Sequence, residues 1–513
     1  MSIHTRRFLG LCLIKLNQVI FKTCKHSVSL SFLSILAAGM FFRIYNLLFF
    51  HPMTADECVY TQAVFAITKG YMPYRDIFVA HPLVYFYIEY PFMCLFPSLL
   101  SARLVSVLLS LGVMLLTFYI AKSLYSREVA LLAMALFAFS PYTIYYNKLA
   151  IVENAVLFFV TLSLYFFFKY YKFGRGRDLF FCGFLSGIAF ISKYSALVVI
   201  IVIVFFVALK DFKRLGNFIG ATSLMPSLFL LLLVLSNVHN YWFAQTVVFQ
   251  IIRFGFPLHM KLFELGFFLA LSSPLFVAAT PIITFKKSKE DFMMILLYII
   301  PFMLILLGKV IINHYFLMLL PILCIIGARS LHQYICYKKG KKMYITTAAI
   351  VSIFVVHFFI TSSLFVGSPS SELAVRAKME VADYIRNITA DNDKIWTTEA
   401  DIAFFATRLI ISPNSTIWKY QGFYEDVWGF FGTSYIGGFA GYSNGLITLN
   451  EIRQALDVER PKVIVIMRNK IADNLIWNGI NTPNYHEDGL AEYILTNYRL
   501  SFTHHNIDVY VIK

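Results

Sequence analysis

"VSLSFLSILAAGMFFRIYNLLFFHPMTADECVYTQA", residues 28–63, joins a long apolar run to a pair of acids. The run from Val28 to Phe50 is long enough to cross a bilayer, whose roughly 30 Å hydrocarbon core takes about 20 helical residues. Asp56 and Glu57 stand side by side just past its end. Acids are scarce, only 28 Asp and Glu in 513 residues. A pair at the mouth of a membrane segment therefore asks for an account.

The rest of the chain repeats the apolar part of this pattern. It is 59% hydrophobic and only 14% charged, well outside the range of a soluble domain. Apolar runs at about 28–48, 104–121, 129–146, 152–168, 179–192, 195–209, 218–236, 265–285, 292–308, 315–328 and 343–365 read as spans. The fold class expected is a polytopic α-helical membrane protein of about 11 transmembrane helices.

The net charge of +16 would suggest nucleic acid in a soluble protein. Its distribution says otherwise. Residues 1–369 carry 31 Lys and Arg against 11 Asp and Glu, whereas residues 370–513 carry 13 against 17. The basic excess belongs to the membrane part, where cations mark the cytoplasmic side. Nucleic-acid binding is rejected on this ground. With the N-terminus inside, the clusters at Arg127, Lys169–Arg177, Lys210–Arg214, Lys286–Lys289 and Lys338–Lys342 all fall on one side.

One ambiguity affects everything downstream. Residues 179–209 could be one long helix or two short ones meeting at "SKYS" (192–195). Only the hairpin keeps the later basic clusters inside, and it puts Lys193 at the outer surface. Eleven spans then leave the C-terminal part outside the cytoplasm.

This gives three regions. Residues 1–27 form a basic amphipathic segment on the cytoplasmic surface, a cleavable signal being the alternative. Residues 28–368 are the transmembrane domain, with outer loops at 49–103 and 237–264. Residues 369–513 alternate helical runs with "KIWTT", "KVIVIM" and "IDVYVIK" and read as a small extracytoplasmic α/β domain. The stretch "YFYIEYPFMCLF" (85–96) suits a helix lying in the membrane interface. A Gly- and aromatic-rich run, 419–446, reads as a long loop. Seven cysteines without a CxxC suggest neither a disulfide framework nor a thiolate metal site.

A carboxylate beside apolar surface loses solvation and becomes a stronger base. Asp56 fits that description, although an acid pair also simply ends a helix in water. The loop "DECVYTQAVFAITKGYMPYRDIFVAHPLVYFYI" (56–88) goes further. It resembles the first outer loop of the GT-C glycosyltransferases that use polyprenyl-phosphate sugars. That group includes protein O-mannosyltransferases and lipid A aminoarabinose transferases. The matching residues are Asp56, Glu57, Tyr60, Gly70, Pro73, Tyr74, Asp76, His81 and Pro82. "GIAFISKYSALVVI" (187–200) resembles the family's lysine-bearing hairpin, and "HYFLMLLPILCIIGAR" (314–329) its late helix. The likeness covers most of residues 35–330.

The resemblance implies an inverting transferase that moves a single sugar from a polyprenyl (dolichyl or undecaprenyl) phosphate donor. Asp56 would be the catalytic base, with Glu57 orienting it or binding acceptor. Positive charge must meet the leaving phosphate. Lys193, Arg253, Lys309 and Arg75, with Arg103, and His314 and His81 as donors, are the candidates, against a bland role as cations reaching headgroups. Lys193 coincides with the family's hairpin lysine. Glu153 stands where the family has a second acid, or merely starts a helix. Asp76 and Tyr60 complete the acceptor-side candidates, and Glu264 is a further outer acid.

The chain departs from the family at Ala80-His81, where some members carry Glu-Lys. No metal is expected to be required, a divalent cation being left open. The tryptophan-rich motif of oligosaccharyltransferases is absent, which argues against en bloc transfer. The acceptor is a protein, a lipid-linked glycan or a surface polymer, and membrane lipid surrounds the protein. The membrane expected is a prokaryotic plasma membrane, or the endoplasmic reticulum in a eukaryote. The alternatives are a flippase or transporter of lipid-linked glycan, and a polytopic glycan polymerase or ligase. A transporter would place charges at the bilayer midplane.

Overall fold

The computed structural model describes residues 26–410, 456–467 and 490–513, apart from 78, 253–254, 284–286, 338–340 and 398–399. The expected amphipathic segment, apart from its last two residues, lies outside the described residues, as do Arg253 and the 419–446 run.

The chain opens with α1 (His26–Ile44), α2 (Ala55–Thr68), α3 (Val84–Leu95) and α4 (Leu99–Leu124). There follow α5 (Arg127–Ala138), α6 (Pro141–Lys148), α7 (Glu153–Phe173), α8 (Gly176–Phe190), α9 (Leu197–Lys210) and α10 (Leu215–Leu235). A short helical stretch with a π-turn (Ala244–Val248) leads to α11 (Leu258–Ala279) and α12 (Lys289–Leu306). A 3₁₀ turn, Asn313–Leu319, runs into α13 (Leu320–Tyr337), and α14 (Lys341–Ile360) ends the bundle.

Among the described residues, five helical segments are long and apolar enough to cross a membrane singly, or up to seven if two bent pairs each count as one span. Shorter apolar helices occupy Ser29–Ile44 and Tyr194–Lys210. The protein is a multi-pass membrane protein whose helices are more broken than the eleven even runs suggest. The expected span 129–146 shows why. Ser140-Pro141 interrupts it, and its two halves meet at 59°. Proline supplies no N–H, so the carbonyls before it need other donors. The buried Arg43 guanidinium donates to Ala138 O at 3.0 Å and to Phe137 O at 3.4 Å.

The hairpin at "SKYS" is present. Helices α7 and α8 are antiparallel, Ser163 Oγ donating to Cys182 O at 2.9 Å. Helix α9 then returns, so that Lys210 Nζ reaches Tyr170 O at 2.7 Å. Lys193 is left at the opposite end, against Glu153. Gly183 and Gly187 let α8 and α10 touch backbone to backbone, since a Cβ at Gly187 would collide with the Thr222 carbonyl and one at Gly183 would lie 2.7 Å from Phe218 O. Lys210, Arg214 and Lys289 gather around residues 170–174 at one end of the bundle. Residues 49–82 and the hairpin tip form the other.

Beyond the bundle, α15 (Pro369–Ile388), β1 (Ile395–Thr397), α16 (Ala400–Phe405), β2 (Val463–Met467), α17 (Leu490–Asn497), β3 (Tyr498–His504) and β4 (Ile507–Ile512) form a small α/β unit. The sheet order is β1-β2-β4-β3, with β1 and β2 parallel and the other pairs antiparallel. Strand β3 was not anticipated. It is an edge strand, mostly exposed, so burial wrote little apolar alternation into it. The joint to the bundle is tight. Asn46 Nδ2 donates to Val366 O at 2.8 Å and Lys148 Nζ to Phe365 O at 2.6 Å. Gly367 follows at φ +97°, and a Cβ there would sit 2.8 Å from Asn46 Nδ2. Phe404 of α16 packs on Phe65 of α2, with ring centroids 6.3 Å apart.

Candidate active site

Thr54 starts α2 with a reciprocal cap: its Oγ1 accepts from Glu57 N–H, and Glu57 Oε2 accepts from Thr54 N–H. Successive residues on a helix point about 100° apart, and here that rotation separates the acid pair.

Glu57 turns inward and is fully buried. Arg103 of α4 grips it at two points, Nε to Oε1 at 2.9 Å and one terminal nitrogen to Oε2 at 3.0 Å. Ala150 N–H also donates to Oε1, at 2.9 Å. The guanidinium meanwhile donates to the carbonyls of Leu47, Leu48 and His51. Every polar atom in this knot has a partner. Of the two roles expected for Glu57, orienting Asp56 or binding acceptor, this pairing accords with the first, since it anchors the start of the helix that carries Asp56. Arg103 is fully buried and occupied by Glu57 and three carbonyls.

Asp56 turns outward, and its side chain is 39% exposed. Three other segments meet it. His314, from the turn before α13, has Nε2 3.7 Å from Asp56 Oδ2 and 3.3 Å from Glu153 Oε1. Glu153, the first residue of α7, is paired with Lys193 from the hairpin tip. The Lys193 ammonium also lies 4.5 Å from the Tyr315 ring centroid. Asp56, Glu153, Lys193 and His314 are thus brought together from positions far apart in sequence. Tyr315 was missed, although its neighbour His314 was singled out in the same "HY" pair.

Tyr60, one turn beyond Asp56, is buried with its ring 5.6 Å from His81. Arg75 and Asp76 are not in the cluster. They pair with each other at 2.8 Å, Met72 N–H also donates to Asp76, and together they build a turn. Partial burial works upward on the Asp76 carboxyl, but these two donors hold it below the ordinary carboxylate range. Lys309 stands apart from the cluster and donates to Ile251 O at 3.0 Å.

Gln245, which the sequence did not flag, joins the loops. It accepts from Val79 N–H at 2.8 Å and donates to Tyr74 O at 2.6 Å. Beside it Thr246 contacts the Tyr194 hydroxyl at 3.0 Å, so the π-turn braces the hairpin tip. An apolar cavity of about 400 Å³ opens between α8, α9 and α10, lined by Ile191, Tyr194, Leu197, Pro226 and Trp242; it begins at the chain neighbour of Lys193, and none of the four cluster residues lines it. Among the described residues no group of three or more His, Cys, Asp or Glu is placed to hold a metal ion.

Chemically, the cluster offers a part-exposed carboxylate at the positive end of a helix, near an imidazole and a buried ammonium. Residues 80–242 match the family described as dolichyl-phosphate-mannose-protein mannosyltransferase. No curated protein matches the chain by sequence. In structure it resembles ArnT from Cupriavidus metallidurans bound to undecaprenyl phosphate, at 10% identity, TM-score 0.63, covering 93% of this chain and 97% of that one. It also resembles the apo oligosaccharyltransferase of Archaeoglobus fulgidus, at 11% identity, TM-score 0.55, over 92% and 74% of the two chains. The mycobacterial arabinofuranosyltransferase AftD is similar at 10% identity and TM-score 0.50, over 93% of this chain and 41% of that one. At such identities the likeness is one of fold: the chain shares the architecture of these glycosyltransferases.

Proposed function

We propose that the protein is an inverting glycosyltransferase that moves one sugar from a polyprenyl-phosphate donor to an acceptor hydroxyl. The observation that carries this is the placement of Asp56: part exposed, within reach of His314, and in one cluster with the Glu153–Lys193 pair. Asp56 takes the acceptor proton as that oxygen attacks the anomeric carbon. The carbon–phosphate oxygen bond breaks on the opposite face, and polyprenyl phosphate leaves with the electron pair.

Lys193 meets the charge that develops on the phosphate. An ammonium has three N–H donors, and Glu153 engages one of them, fixing the side chain without exhausting it. The cavity beside it takes the first units of the polyprenyl chain. ArnT was solved with undecaprenyl phosphate, which supports a lipid of that class here.

The basic end of the bundle faces the cytoplasm by the charge rule. The site and the C-terminal α/β unit then lie on the extracytoplasmic side. Because α16 packs on α2, that unit stands beside the helix that carries Asp56 and bounds the space where acceptor arrives. The test is incubation of purified protein with a panel of polyprenyl-phosphate sugars, scoring release of polyprenyl phosphate. Release from one donor, abolished in Asp56→Asn, supports the reading. Leaflet-to-leaflet movement of lipid-linked glycan in proteoliposomes without release would support a flippase instead.

A further inference from the structure

Behind His314 lies a set of polar contacts that the reaction above does not use. Asn313, the preceding residue, is held at three separate atoms. Its N–H donates to Glu264 Oε2 at 2.9 Å. Its carbonyl accepts the Tyr142 hydroxyl, and its Oδ1 accepts the Tyr146 hydroxyl. Two elements supply these groups, α6 and α11, and all three side chains are buried.

Aromatic packing stiffens the same place. The Tyr142 and Tyr146 rings lie 4.8 Å apart, and Tyr142 also meets Phe268 at 5.3 Å. Phe268 in turn stacks on Phe316 at 4.4 Å, so the turn is fixed on both sides of His314. The histidine itself is placed differently. Its Nε2 lies near two carboxylates, yet neither contact has hydrogen-bond geometry. A ring that is not held at Nε2 takes its position from its backbone and from the edge contacts of the Tyr146 and Tyr315 rings, 6.1 and 5.2 Å away, and that backbone is what the cage around Asn313 fixes.

We propose that Tyr146, Tyr142 and Glu264 are positioning residues. They act through Asn313 to hold the His314 imidazole between Asp56 and Glu153. The functional consequence rests on the reading of Asp56 as the base: an imidazole 3.7 Å from its oxygen sets the field in which it accepts a proton. Displacing that ring lowers kcat and leaves donor KM alone, because the donor phosphate is met by Lys193.

The experiment uses the full-length protein in detergent, with diethyl pyrocarbonate as the probe and mass spectrometry reading each histidine separately. Wild-type His314 reacts slowly because it is buried. Tyr146→Phe and Tyr142→Phe each remove one donor and little volume. Each is expected to raise labelling at His314 by about fivefold, the scale of one lost hydrogen bond. Labelling at His51, His81 and His239, and the melting temperature, stay unchanged. Unchanged labelling of His314 in both variants overturns the proposal, as does a rise at every histidine with a lower melting temperature.

A second arm uses whichever donor the panel identifies. Tyr146→Phe should lower kcat by about fivefold alone and not at all on a His314→Gln background, since residues acting through one group are not additive. Additive losses would overturn the proposal. The labelling arm needs no activity, so it decides the positioning role even if Asp56→Asn shows the catalytic reading to be wrong.

Discussion

The Glu57–Arg103 knot and the Asp56–His314–Glu153–Lys193 cluster begin at adjacent residues and end in opposite states. In the knot both partners are fully buried, the pair is bidentate, and spare acceptors and donors are used on backbone from three segments. In the cluster one carboxylate is part exposed, one imidazole lacks a hydrogen bond at Nε2, and the ammonium meets one carboxylate and one aromatic ring. A saturated buried pair does no chemistry, because any proton or ligand must first break it. An unsaturated, part-exposed one can bind and react. The difference is set by one residue of helix rotation after a single Thr54 cap.

The largest effect should come from breaking the knot. Arg103→Met leaves Glu57 buried without its partner, and removing one member of a buried pair costs about 3–5 kcal/mol. Thermal unfolding in detergent should show a large loss for Arg103→Met and almost none for Asp56→Asn. Equal losses would erase the contrast.

A smaller effect tests the cluster. Lys193→Met should weaken binding of undecaprenyl phosphate by about 1.5–3 kcal/mol, the worth of a charged hydrogen bond, while Lys309→Met should leave it unchanged. Titration with the lipid phosphate measures both. Full affinity in Lys193→Met would move the phosphate elsewhere.

The smallest effect concerns a third acid in the same loop. Glu89 on α3 is buried, and that burial pushes its carboxyl up to about 8; the Tyr85 hydroxyl works downward and the Glu57 charge upward. Its folded value lies above the unfolded one, near 4.5. The folded state therefore binds more protons between the two, and its stability is lost as pH rises through about 8. The melting temperature should fall by a few degrees, roughly, from pH 6 to pH 9 in the wild type. Glu89→Gln should flatten that slope. A slope unchanged in the variant would assign it to other groups.

Much of this arrangement is legible in the chain. The apolar runs, the hairpin at Lys193 and the value of Asp56, Glu153 and His314 follow from hydropathy, charge placement and the family likeness. What stays hidden has a common cause. Pairing of Glu57 with Arg103, or of Asn313 with Tyr142, Tyr146 and Glu264, spans tens to hundreds of residues and leaves no local period. The bend at Pro141 has a local signal, but its rescue by Arg43, about 95 residues away, has none. Arg75 and Asp76 mislead for the opposite reason: they match a motif, and the motif is there to make a turn.

The central claim is that one of two neighbouring acids is the base and the other is scaffold. Single-turnover sugar transfer, measured on folded Asp56→Asn and Glu57→Gln with the donor found by the panel, tests it most directly. A positioned general base contributes about 10² to 10⁴ in rate. The account predicts that Asp56→Asn transfers at least about a hundredfold more slowly with undiminished donor binding and normal melting. It predicts that Glu57→Gln loses stability and transfers at a near-normal rate per folded molecule. Near-normal transfer by folded Asp56→Asn would contradict the account.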